Sequence, residues 1–177
     1  VPAQQVIDAP QLPAVEAALR SFAGRVFDAE IGGVPVIEVH PANAKPARGA
    51  IVYVHGGAYT LFSARARLMS VLPIVERTGM QVIAVDYTLA PQARWPVALD
   101  QIVSVVGGLY KEKRGPVALY GDSAGGGLAA AATLRMRERG MKLPEALALW
   151  SPWSDVGEVG DSHARLAGAG PGFPFGR

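Results

Sequence analysis

The 177-residue chain has no cysteine, only three histidines and few aromatic residues, and its 17 Lys and Arg nearly balance 15 Asp and Glu. Without cysteine there is no disulfide framework, no thiolate metal site and no cysteine nucleophile, and the redox compartment is left undetermined. No metal or cofactor is implied. The basic residues are scattered, and the denser stretches at Lys111–Arg114 and Arg135–Arg139 stand just before Gly115 and Gly140. Cations and glycine there suit helix C-termini, so nucleic acid is not expected as a partner. No apolar run is long enough to span a bilayer, and no basic stretch followed by a long apolar run opens the chain. A membrane is not expected as a partner either, and the default expectation is a cytoplasmic protein.

What is present is half apolar, which suits one compact domain with a real core. Val15, Leu19 and Phe22 recur at helical spacing and predict a short amphipathic helix in a cap-like helical segment over 1–26. From Glu30 to Val39 the pattern is that of strands meeting at a tight turn around Gly32-Gly33. Four apolar runs follow, at Ala50–Val54, Gln81–Val85, Pro116–Tyr120 and Ala146–Trp150, with little alternation, as in strands covered on both faces. Helical stretches over Ala66–Arg77, Val97–Lys113 and Gly125–Arg139 separate them. The order β-α-β-α-β-α-β with right-handed crossovers predicts an α/β fold with a doubly wound, mostly parallel sheet and helices on both faces. The division expected is a partial domain over 1–155 and an irregular Gly, Ala and Pro-rich tail over 156–177.

Two glycine-rich segments carry chemistry. Gly121-Asp122-Ser123-Ala124-Gly125 follows an apolar strand and leads into a small-residue helix, the setting of a G-x-S-x-G nucleophile elbow. Ser123 is the expected nucleophile, held at positive φ, and Asp122 a supporting residue. His55-Gly56-Gly57-Ala58-Tyr59 follows another strand, where successive backbone N–H groups can meet the negative charge that develops in acyl transfer. Gly56, Gly57 and Ala58 form the expected oxyanion loop, with the amides of Gly57 and Ala58 as main donors, joined by Ala124; His55 is a supporting residue.

With these segments the chain resembles the bacterial hormone-sensitive-lipase family of esterases, known for an H-G-G-G-type loop and a G-D-S-A-G-G elbow. Asp86-Tyr87-Thr88-Leu89-Ala90-Pro91 resembles that family's D-Y-R-L-A-P. Trp95-Pro96-Val97-Ala98-Leu99-Asp100 resembles its F-P-A-A-L-E/D, and Ser151-Pro152-Trp153-Ser154-Asp155 its S-P-W-x-D. The resemblance covers about Phe27 to Asp155. Ala58 replaces the third loop glycine, which spares a backbone donor, and Thr88 replaces an arginine.

The resemblance implies a carboxylic-ester hydrolase working through a serine acyl-enzyme on small acyl esters or lactones. It also implies that the triad Asp and His lie well downstream of the elbow, in segments without counterparts here. Asp86, Asp100, Asp122 and Asp155 match family positions with other roles. His40, before Pro41, reads as a solvated end residue, His55 as a loop-holding residue, and His163 matches no catalytic histidine. The expectation is therefore a nucleophile without its usual partners and weak activity. From Ala164 the Gly, Ala, Pro and Arg mixture suggests a frameshift or truncation.

The alternative is a non-catalytic, truncated hydrolase fragment that self-associates. A peptidase or acyltransferase on the same scaffold is a third possibility, against which the loop type argues. The family sheet continues beyond the strand at 146–150, so a homo-oligomer through an open edge there is expected.

Overall fold

The computed structural model describes residues 3–43 and 49–155. The tail over 156–177, with His163, lies outside the described residues. Two helices, α1 (Ala3–Asp8) and α2 (Leu12–Ser21), precede the hairpin β1 (Arg25–Ile31) and β2 (Val34–His40). Then come β3 (Ala50–Val54), a 3-10 turn (Leu68–Ser70), α3 (Leu72–Thr78), β4 (Gln81–Val85), α4 (Trp95–Lys111), β5 (Val117–Asp122), α5 (Ala124–Glu138) and β6 (Ala146–Trp150). The six strands form one mixed sheet in the order β1-β2-β4-β3-β5-β6. Strand β2 is antiparallel to both β1 and β4, and β3 through β6 run parallel.

The period of two in a strand explains the unbroken apolar runs. In β3, Ala50, Val52 and Val54 face a core shared with α4 and α5, whereas Tyr53 faces a second core shared with α2 and α3. Strand β4 divides likewise, with Ile83 and Val85 on one side and Val82 and Ala84 on the other. Each strand is apolar throughout because both of its faces are covered. In α2, Val15 is buried and Leu19 packs beside it, as does Phe22 just past the helix end, so this helix covers the second core.

The described structure departs from the sequence expectations in several places. The helix expected around Val15 and Leu19 is preceded by a second one, α1, and the strand expected from Glu30 begins at Arg25. The helix expected over 66–77 is divided into the 3-10 turn and α3, which starts beside Pro73 and ends at Gly79 with φ 65°. Strand β6 is the exception to two-sided coverage, and for it the expectation of an open edge fits the described residues better than that of a strand covered on both faces. It lies at the sheet edge, exposed along its length, with Leu147 at 42%, Leu149 at 37% and Trp150 at 68% exposure.

His40 is not a solvated end residue. As the last residue of β2 it shares a face with Glu38, and its Nε2 lies 2.7 Å from Glu38 Oε2 while its ring stacks on Phe27. Glu38 is only 6% exposed and takes both prongs of the Arg114 guanidinium, at 2.7 and 2.6 Å. Arg114 also donates to Gln81 Oε1 at 2.9 Å. The cluster ties β2, the start of β4 and the segment after α4 together at the N-terminal ends of the parallel strands. Burial alone would raise the Glu38 carboxyl, but the hydrogen bonds from Arg114 and then His40 outweigh it and hold the group below its ordinary value.

Because the folded value is depressed, the stabilisation is present above the ordinary glutamate value of 4.5 and is lost as pH falls through the folded value. Glu38→Gln should therefore cost roughly 3 kcal/mol at neutral pH, as expected when one partner of a buried ion pair is removed. It should also flatten the acid limb of stability against pH. Urea unfolding between pH 3 and 7 checks both; an unchanged acid limb would show that Glu38 does not set it.

Candidate active site

Ser123 joins β5 to α5 with φ 51° and ψ −122°, a strained backbone for a residue with a Cβ. Main-chain bonds hold it there. Its N–H donates to Trp150 O at 3.0 Å, and its carbonyl accepts from Gly127 N at 3.1 Å and Trp153 N at 2.8 Å. Neighbouring glycines make room for the turn. A Cβ on Gly121 would stand 2.5 Å from Gly125 O, and one on Gly125 would stand 2.1 Å from Val54 O and 2.5 Å from His55 O. The small residues of the elbow thus let the start of α5 lie directly against the end of β3. The Ser123 side is exposed, at an open cavity of about 270 Å³ bordered also by Arg67, Ser70, Tyr120, Asp122 and Trp150.

The loop after β3 comes to this place because β3 and β5 are neighbours, with Val54 opposite Gly121. Gly57, Ala58 and Tyr59 all have positive φ, at 130°, 53° and 64°, which turns the chain sharply over the elbow. Gly57 O closes the turn by accepting from Thr60 N and Leu61 N, and Tyr59 O accepts from Ala90 N. The amide of Gly56 is not a free donor: it donates to Asp122 Oδ1 at 3.1 Å. Gly56 thus anchors the start of the loop, and the two amides that follow it are the ones the sequence singled out as donors. Among the described residues the amides of Gly57, Ala58 and Ala124 donate to no acceptor.

Asp122 has a second bond on the same oxygen, from Tyr53 OH at 2.7 Å, and its Oδ2 lies 3.3 Å from Arg67 Nη2. Burial, and then the Asp122 charge, push the Tyr53 phenol up, so it stays a donor. His55 is buried, with Nδ1–H donating to Gly56 O at 2.8 Å and its ring stacked on Tyr87 at 4.4 Å. Tyr87 OH donates to His55 O at 2.7 Å. Burial pushes the His55 imidazole down and keeps it neutral. These bonds fix the loop, and none of them runs to Ser123.

The other carboxylates also have structural partners. Asp86 Oδ1 accepts from Ala64 N, and Asp100 pairs with Arg135 and Arg139. At Thr88 the side chain of Gln101 both accepts from the amide and donates to the hydroxyl, at 2.8 and 3.0 Å. Tyr53, Arg67 and Gln101 were not singled out from the sequence. Tyr53 carried a faint signal, a polar-tipped side chain in an apolar strand; Arg67 carried none, because only the fold brings it to Asp122.

With the elbow and loop in place, the chain can be set beside known proteins. A family model described as the alpha/beta hydrolase fold matches residues 51–172. The chain belongs to the α/β-hydrolase family. A Mycobacterium tuberculosis protein, LipR, which carries an acetyl-hydrolase name, is 41% identical over 128 residues, covering 71% of this chain and 41% of the relative. An esterase of Acinetobacter venetianus is 33% identical, with 69% of this chain and 45% of the relative covered. The crystal structure of an esterase from the bacterial hormone-sensitive lipase family superposes with a TM-score of 0.78 at 30% identity, over 93% of this chain and 57% of that one. The chain therefore resembles that esterase family, as its motifs indicated, and spans less than half the length of these two curated relatives. The family match continues past Ala164, which weighs against a loss of the family pattern at that point.

Gly125→Ala checks the close packing. The methyl group would collide with main-chain oxygens of β3 and of the loop after it, which cannot rotate away as a side chain can. The substitution should cost about 3 kcal/mol, the upper end for overpacking. Urea unfolding of the variant measures this, and a cost under about 1 kcal/mol would mean that β3 and α5 separate easily.

Proposed function

We propose that this chain carries the nucleophile and oxyanion loop of a carboxylic-ester hydrolase acting on small acyl esters or lactones. The observation that carries the reading is the strained Ser123 at the start of α5, beside a loop with undonated amides at Gly57 and Ala58. In the proposed reaction Ser123 Oγ attacks the ester carbonyl, and the developing oxyanion is met by the amides of Gly57, Ala58 and Ala124. The alcohol leaves with a proton, and water then releases the acyl group as a carboxylic acid. The acetyl-hydrolase and esterase names of relatives support this substrate class.

Among the described residues no histidine is hydrogen-bonded to Ser123: His40 is held by Glu38, and His55 by Gly56. Without an adjacent base the hydroxyl is a weak nucleophile at neutral pH. The activity proposed for this chain alone is accordingly low, a residual advantage over water of roughly 10³ to 10⁴ from oxyanion stabilisation and binding. Hydrolysis of 4-nitrophenyl acetate should run faster with this chain than with Ser123→Ala. Equal rates would rule out a serine mechanism in it.

A second reading has its own observation. Strand β6 lies at the sheet edge with Leu147, Leu149 and Trp150 exposed, and no Lys or Pro stands in it to discourage pairing. On this reading the chain is a non-catalytic homo-oligomer joined through that edge. Light scattering after size-exclusion chromatography should then give at least a dimer mass, and Leu147→Lys should return the monomer. A wild-type monomer at micromolar concentration would exclude this assembly.

A further inference from the structure

We propose that Arg67 is a positioning residue for the oxyanion loop, acting through Asp122. The inference rests on the serine-hydrolase reading for its catalytic consequence, although the coupling itself is a property of the fold. Asp122 divides its two oxygens between two sides of the site. Oδ1 holds the loop, through Gly56 N at 3.1 Å, and β3, through Tyr53 OH at 2.7 Å; Oδ2 faces Arg67 Nη2 at 3.3 Å. Rotation of the carboxylate would move Oδ1 away from the Gly56 amide, and the Arg67 contact opposes that rotation.

Arg67 is itself well placed to act as a stop. It immediately precedes the 3-10 turn, its N–H donates to Ala64 O, and its guanidinium lies over the Phe62 ring at 5.2 Å. The chain that leaves the oxyanion loop at Tyr59 thus returns at Arg67 to brace the loop's own anchor. Among the described residues its buried Nε has no hydrogen-bond partner, so packing on Phe62 and the Asp122 charge are what hold the guanidinium. The two side chains are 31% and 19% exposed, so solvent screens the pair and its effect on global stability is small. Its effect on geometry is larger, because oxyanion donors must be held close to their productive positions for full catalytic value.

Two variants separate the roles of the side chain. Arg67→Met keeps the apolar stem against Phe62 and removes the charge, whereas Arg67→Lys keeps a cation that reaches Asp122. In Arg67→Met the Gly56 amide should exchange with deuterium about tenfold faster. On 4-nitrophenyl acetate, kcat should fall about tenfold, a modest share of the loss from removing a whole oxyanion donor, while KM stays within about twofold. Arg67→Lys should recover most of both effects, with thermal unfolding of the two variants close to the parent. Unchanged Gly56 exchange in Arg67→Met would overturn the proposal, whether or not the parent turns over ester. Faster exchange in Arg67→Lys equal to that in Arg67→Met would overturn it too, since the charge would then be irrelevant. If the parent has no activity above Ser123→Ala, the hydrolase reading fails, and the exchange pattern alone decides the coupling.

Discussion

Asp122 Oδ1 accepts a hydrogen bond from the Tyr53 hydroxyl and another from the Gly56 amide, and through this one oxygen β5 and β3 are joined at the level where both strands end. Parallel pairing alone aligns the two strands, but it does not dictate where the loops beyond them go. The shared carboxylate does. It fixes the first turn of the loop after β3, and does so from the residue next to Ser123. The glycines around it permit the approach that such short bonds require, since even a methyl group at Gly56 would stand 2.6 Å from Asp122 Oδ2.

The two ends of the sheet have divided tasks. At the N-terminal ends of the parallel strands, Glu38 is satisfied by Arg114 and His40, a closed set of charges with little left to offer a ligand. At the C-terminal ends, backbone strain at Ser123 and unshared amides are retained. Strained backbone and unmet donors are tolerable there because the surrounding strands and helices over-determine the positions.

How much of this was legible follows the physics of each element. Strands β3, β4 and β6 lie where the apolar runs placed them, because a strand covered on both faces leaves an unbroken signal. The elbow was legible for a steric reason: Gly121 and Gly125 each meet main-chain oxygens, so the motif records a packing constraint as well as a chemical one. Strand β6 had the same apolar signal yet is exposed, since composition records what a segment suits and not what covers it. His40 was misread because proximity to Pro41 outweighed the strand alternation that places it beside Glu38. The bond from the Gly56 amide to Asp122 was not legible either, because sequence cannot say which of three adjacent amides is already bonded. The contact between Arg67 and Asp122, 55 residues apart, depends wholly on tertiary structure.

The main-chain support of Ser123 has a temporal side. Two of its bonds come from residues beyond α5: Trp150 supplies the carbonyl that receives its N–H, and Trp153 supplies the amide that reaches its carbonyl. On the ribosome, a nascent chain that has emerged only as far as α5 can pair β3 with β4 and β5, but it lacks those two restraints on the elbow. The conformation of Ser123 is completed only when the strand and turn beyond it are also free to fold. The order of synthesis thus supplies the anchor of the loop after β3 first and the full support of Ser123 last.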